Sequence, residues 1–197
     1  MNKLLDYIKK HKAKSIIFLL IIIAYYICLP KQLFKDPTAT VITSSNNTLL
    51  GAQIAKDGQW RFPQNDSVPD KFKTCILQFE DEYFYKHPGF NPISIFKALL
   101  DNFKSRGIKR GGSTLTQQVI RLSRKGQKRT YFEKFKELIL ATRLEFRAPK
   151  NKILAYYSSN APFGGNVVGL DAASWRYFNR RATAVSYTHL TLPTIQL

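Results

Sequence analysis

The 197-residue sequence predicts a mainly α fold: a helical domain with a short β segment before it and a transmembrane helix at the N-terminus. Three observations predict this. Residues 15–30 form one uncharged, largely apolar run. From Pro69 onward, apolar residues recur at three- and four-residue spacings. Several of those stretches open on helix-starting residues, namely Asn91-Pro92, Thr114 with Gln117, and Thr130 with Glu133.

Residues 1–14 carry Lys3, Lys9, Lys10, Lys12 and Lys14 against one acid, Asp6, and read as a basic cytoplasmic tail. The run 15–30 reads as an anchor, slightly shorter than the roughly 20 apolar residues of a usual span. Tyr25 and Tyr26 suit the interfacial belt. A cleaved signal peptide is the rival reading, but no pair of small residues marks a cleavage site. Residues 31–68 read as a linker with a strand-like patch at Thr40–Thr43, a polar turn at Ser44–Asn47 and a second turn at Asp57-Gly58.

The helical domain is expected over 69–181. Its first helix runs from Lys71 to about Tyr85, with Phe72, Ile76, Phe79 and Tyr83 on the apolar face. The next follows the Asn91 cap to about Phe103, with Phe96, Leu99, Leu100 and Phe103 inward. Capping boxes at Thr114 and Thr130 start helices that end near Leu122 and Phe146. Pro149 opens a helix through Tyr157, and a last one covers Gly169 to Phe178. The tail 182–197 lacks helical periodicity. It reads as a spurious translation after a truncated frame, poorly packed beyond about Arg181.

The balance of 31 basic to 13 acidic side chains, a net charge of +18, implies an anionic partner: nucleic acid, lipid head groups or a phosphorylated substrate. The two cysteines, Cys28 and Cys75, match no metal spacing and are poor candidates for a disulfide.

Two motifs could carry chemistry. Glu80, in the cluster Glu80-Asp81-Glu82, lies one helical turn from Ile76 and Phe84 and so borders an apolar face. Such a setting disfavours the charged form of a carboxylate and suits a general base, although a charged face beside a core has the same spacing. Gly111-Gly112-Ser113-Thr114 opens a helix whose first-turn amides favour an anion, with Arg106, Lys109, Arg110 and Arg121 nearby. An ordinary capped turn is the plainer reading. Lys134 and Glu137, three apart, share a helix face either as a surface ion pair or as a phosphate-binding cation beside a second carboxylate. His87 lacks metal-spaced partners and reads as structural.

These motifs together resemble glycosyltransferase family 51, the peptidoglycan glycosyltransferase domain of class A penicillin-binding proteins. The matching residues are Glu80-Asp81 with Phe84, His87 and Gly89; the block 111–118; Lys134 with Glu137 and Leu144-Glu145; and Ile153-Leu154 with Tyr157, Gly164, Gly169 and Ala172-Ala173. The segments 57–63 and 161–166 are similar to the penicillin-binding protein 1C subgroup. The resemblance implies a lysozyme-like helical domain on the extracytoplasmic side of the bacterial inner membrane, polymerising lipid II onto a growing glycan strand. Glu80 would then be the base and Glu137 a second catalytic carboxylate. Asp81, Ser113, Thr114, Gln117, Gln118, Arg121 and Lys134 would bind substrate. The sequence shows no dedicated metal site, although the resemblance allows magnesium or manganese on the diphosphate. Membrane lipids and cell-wall assembly proteins are the expected partners, and nucleic acid is not. A lysozyme-like hydrolase and an inactive scaffold fragment are the alternatives.

Overall fold

The computed structural model describes residues 11–104, 112–128 and 130–185. Arg106, Lys109, Arg110, Gly111 and the tail 186–197 lie outside the described residues, as do the side chains of Leu99 and Phe103. The chain divides into two compact units, Met1–Leu33 and Phe34–Leu197.

The first unit carries helix α1, Lys12–Ile27, none of whose residues is buried. Its 16 residues rise through roughly 24 Å at 1.5 Å each, against a hydrocarbon thickness of about 30 Å. Among the described residues, no helix is long and apolar enough to cross a membrane. The expected span is therefore not met in full, because the helix starts on Lys12 and ends at Ile27, before Cys28 and Leu29 can extend it.

The second unit is mainly helical. It opens with an antiparallel hairpin, β1 (Thr40–Thr43) with β2 (Leu49–Gln53), in the register Thr40 opposite Gln53. The turn places Asn47 at φ 58°, a left-handed conformation that Asn tolerates. The segment expected as a linker is more structured than composition suggests. Strand β3, Trp60–Arg61, pairs in parallel with β4, Val167–Val168, more than 100 residues away. The Arg61 side chain is buried, with Nη1 donating to Pro37 O (2.7 Å) and to the Asp57 carboxylate (2.8 Å). Trp60, Phe62 and Phe163 pack on Val167, Ala172 and Ala173.

Helix α2, Asp70–Glu80, buries Phe72 and Ile76 but ends five residues earlier than expected. Asp81 leaves helical geometry (φ −162°, ψ 74°), and a short 3₁₀ turn, Phe84–Lys86, follows with Phe84 fully buried. Phe79 and Tyr83, expected inward, are exposed: Phe79 lies within α2 on its outer face, and α2 stops before Tyr83 can align with Ile76. Helix α3, Pro92–Lys104, starts as predicted: Asn91 Oδ1 accepts from the Ile93 and Ser94 amides, both at 3.1 Å. Its docking face is not the predicted one. Ala98 is buried while Phe96 and Leu100 are exposed. Gly112 lies against the backbone of Ser94 and Ile95 and the Cβ of Ala98, so the close contact uses the small-residue face.

Helix α4, Leu115–Ser123, is the centre of the unit, packed on both α5 (Tyr131–Arg147) and α6 (Lys150–Asn160). Leu115, Val119, Ile120, Leu144, Ile153 and Leu154 form that core. The capping box at Thr114 is complete. The one at Thr130 is half made: Thr130 Oγ1 accepts from the Glu133 amide, but the Glu133 carboxylate turns to Lys136 and Arg124. Two glycines permit close backbone approach. A Cβ on Gly89 (φ 97°) would meet the Ala141 carbonyl at 2.8 Å, and one on Gly169 (φ 89°) would meet Ser159 O at 2.6 Å. Gly169 precedes helix α7, Leu170–Phe178. Packing continues past Arg181, further than expected: Ala182, in the 3₁₀ turn Ala182–Ala184, and Val185 are buried.

The segment after β3 is tied to α6 and α7 by polar contacts. The Asn65 amide and carbonyl bond Ser159 Oγ, Asn65 Nδ2 donates to Asp171 Oδ2 (3.1 Å), and Asp66 pairs with Lys152 (2.7 Å). Burial pushes the Asp171 carboxyl up from its ordinary pKa, opposed by the Asn65 hydrogen bond. A raised folded-state pKa gives stability that is present below the ordinary carboxylate range and lost as pH rises through the raised value. Asp171→Asn, which keeps an acceptor for Asn65, should therefore raise Tm at about pH 7 and lose that advantage by about pH 3. Paired thermal melts at the two pH values check this.

Candidate active site

The end of α2 meets the start of α4, and the junction is built from charge. Asp81, the residue after α2, is buried. Its Oδ2 accepts from the amide of Leu115, the first residue of α4, at 2.9 Å. Its two oxygens also face His87 Nε2 at 2.9 Å. The Gly89 amide donates to His87 Nδ1 (3.2 Å), which places the ring proton on Nε2, directed at Asp81. Thr114 Oγ1 donates to Gly89 O (2.7 Å) and closes the loop. The sequence predicted an anion at this helix N-terminus. The anion that occupies it is Asp81, from the chain itself, stabilised by the helix dipole and by hydrogen bonds to charge.

This geometry redistributes the predicted site residues. Thr114 and Gln117 are buried, and their polar atoms serve the cap: Gln117 Oε1 accepts from the Thr114 amide (3.0 Å) and Thr114 Oγ1 from the Gln117 amide (3.3 Å). They hold the site rather than line it. Glu80, half-buried at the last position of α2, is brought to α4 by Gln118, whose Nε2 donates to Glu80 Oε2 at 2.7 Å. Glu82 is exposed.

Arg121, one turn along α4 from Gln118, reaches α5. Its Nε and Nη2 donate to the two Glu137 oxygens at 2.9 Å each, and Nη2 lies 3.3 Å from Ser113 Oγ. Glu137 therefore pairs with Arg121 and not with Lys134, because the bidentate geometry of a guanidinium fits both carboxylate oxygens. The hydrogen bonds that the guanidinium donates to Glu137 hold it above its already high pKa, so it stays cationic. Lys134, one turn before Glu137 on α5, is exposed and unpaired among the described residues. Among the described residues no group of three or more His, Cys, Asp or Glu side chains could hold a metal ion.

Two supports match the family motifs but drew no role from the sequence. Glu145 accepts from Thr116 Oγ1 (2.6 Å) and Lys150 Nζ (2.8 Å), and Lys150 also donates to His87 O (2.7 Å) while lying 4.5 Å from the Phe84 ring centroid. Glu145 and Lys150 are five apart across a helix break, a spacing that no periodicity marks. The second is Tyr157, whose ring is buried and whose phenol feels the charge of Glu80.

Two outcomes follow. Asp81→Ala leaves the Leu115 amide and the His87 N–H unsatisfied and should cost about 3 kcal/mol, with Asp81→Asn in between, measured by urea unfolding. A double-mutant cycle of Arg121→Met with Glu137→Gln should give a coupling energy of about 1 kcal/mol, since the pair is only partly buried.

Comparison with known proteins places this arrangement. The family model described as Transglycosylase matches residues 46–193. Penicillin-binding protein 1C of Escherichia coli (strain K12) is 35% identical over 164 residues, 83% of this chain and 21% of that protein. The monofunctional glycosyltransferase of Staphylococcus aureus (strain JH9) is 37% identical over 135 residues, 66% of this chain and 49% of that protein. The chain thus spans about a fifth of the first relative's length and about half of the second's. With the match covering the whole junction from Glu80 to Glu137, the chain belongs to the transglycosylase family.

Proposed function

We propose that this chain is a peptidoglycan glycosyltransferase that polymerises lipid II into glycan strands, on a lysozyme-like helical scaffold held at the bacterial inner membrane. The observation that carries the reading is the Glu80–Gln118 hydrogen bond, which fixes a half-buried carboxylate beside the helix that also carries Arg121. Glu80 takes the proton of the acceptor sugar's 4-hydroxyl. The oxygen forms its new bond at the anomeric carbon of the donor strand with inversion, the bond from that carbon to the diphosphate breaks, and undecaprenyl diphosphate leaves. A diphosphate departs without a protein acid but gains from fixed cations.

Arg121 suits that cationic role because its bonds to Glu137 and Ser113 use Nε and Nη2, leaving Nη1 unpaired among the described residues. Glu137, as the second carboxylate, acts by aiming this guanidinium. Lys134 adds a free cation, and Ser113 and Gln118 offer polar atoms at the rim. A magnesium or manganese ion on the diphosphate would arrive with the substrate.

The membrane reading rests on composition and exposure. The apolar run in α1, the net charge of +18 and the exposed Tyr131, Phe132 and Phe135 at the start of α5 suit contact with anionic lipid heads and the interface. The lysine-rich tail suits a cytoplasmic N-terminus with the helical domain outside, where cell-wall assembly proteins are available as partners.

Labelled lipid II tests the reaction. The wild-type chain should yield long glycan with release of diphosphate, and Glu80→Gln should lower turnover by about a thousand-fold, within the range of general-base losses. Equal turnover of the two would remove Glu80 as the base. Shortening of preformed glycan would point instead to a hydrolase.

A further inference from the structure

Lys150 stands against the preference of its own helix. It is the first residue of α6, where the macrodipole disfavours a cation, and no acid in that turn offsets it. Its partner Glu145 stands in the last turn of α5, where a carboxylate is equally disfavoured. Neither charge therefore serves the helix that carries it. What the pair serves is the chain from Asp81 to Gly89. Lys150 Nζ, on a side chain only 20% exposed, donates to the His87 carbonyl at 2.7 Å and lies 4.5 Å from the centroid of the fully buried Phe84 ring. The Phe84 amide in turn donates to the Asp81 carbonyl at 3.0 Å. These contacts close on themselves. Thr116 on α4 donates to Glu145, Glu145 accepts from Lys150, and Lys150 holds the His87 carbonyl. The His87 ring faces Asp81, and Asp81 accepts from the amide of Leu115, the neighbour of Thr116. The circuit thus leaves and re-enters the first turn of α4, and Glu80 directly precedes its Asp81 link.

We propose that Lys150 is a positioning residue for glycosyl transfer, its ammonium holding the His87–Asp81 pair so that Glu80 stays at the rim beside Gln118. This rests on the reading of Glu80 as the base. Without the ammonium the His87 carbonyl loses its donor, Glu145 loses its cation, and the turn that directs Asp81 relaxes. A displacement of about 1 Å at a reacting group costs about a hundred-fold in rate. The cations proposed for the diphosphate, Arg121 and Lys134, lie outside the circuit, so substrate binding is spared.

Lys150→Met keeps the apolar stem and removes the charge. In the full chain with labelled lipid II, kcat should fall about thirty-fold with KM within about two-fold. The same substitution on Glu80→Gln, followed through its slow residual turnover, should cost less than about three-fold, because a lysine that acts through Glu80 has no base left to position. A lysine that only supports the fold lowers both backgrounds alike. That result, a loss confined to KM, or a Lys150→Met enzyme within about two-fold of wild type overturns the inference. Should Lys150→Met give no cooperative thermal melt, Glu145→Gln carries the test. It keeps an acceptor for Thr116 and Lys150 and weakens only the ion pair, so kcat should fall about five-fold beside an intact Glu80 and not beside Glu80→Gln. An equal change in the two backgrounds overturns the inference there too. Glu80→Gln measured alone separates the failures. Turnover equal to wild type sinks the base and the lysine's role together, whereas a slow Glu80→Gln with an unaffected Lys150→Met sinks only the lysine's role.

Discussion

The Asp81 carboxylate at the N-terminus of α4 is the interaction on which the rest of the site depends. It joins three pieces of chain: the end of α2, the His87–Gly89 turn and the first turn of the central helix. A buried carboxylate is tolerable only when hydrogen bonds and opposite partial charge replace its hydration. The Leu115 amide, the His87 N–H and the helix dipole supply both. The consequence reaches Glu80. Because Asp81 must turn towards Leu115, α2 stops there, and the preceding carboxylate is left at the rim beside Gln118 rather than buried in a continuing helix.

The same helix distributes charge along its length. Its N-terminus is neutralised by Asp81, its middle holds Glu80 through Gln118, and its last turn carries Arg121 across to Glu137 on α5. The two carboxylates nearest the proposed chemistry therefore differ in what they can do. Glu80 has one oxygen with no partner among the described residues, whereas both Glu137 oxygens accept from a guanidinium. A carboxylate with a free oxygen can take a proton, while one clamped by arginine is better suited to holding the cation in place. Beneath them, Lys150 bridges Glu145, the His87 carbonyl and the Phe84 ring, and so stiffens the turn on which His87 stands.

Much of this was legible from residue order. The caps at Asn91 and Thr114, the helix after Pro149 and the strand at Thr40–Thr43 are local matters, decided by side chains within three or four residues of the backbone groups they satisfy. The docking faces were less legible. Phe96 and Leu100 have core spacing, but α3 rests on the face of Ala98, where a glycine allows the closest approach. Tyr83 followed the period of a helix that ends three residues before it. In both places a close tertiary contact outweighed the hydrophobic pattern.

The sequence by itself determined where helices begin, which short segments extend, and that a capped, glycine-led helix would favour an anion. Only the tertiary structure decided which anion that is, which cation Glu137 accepts, and which polar atoms remain free. Those outcomes turn on distances of about 3 Å between groups tens of residues apart, and periodicity carries no information on such separations. Thr114 and Gln117 illustrate the difference: the family resemblance offers them to a substrate, whereas their buried polar atoms serve the helix cap that their spacing predicts.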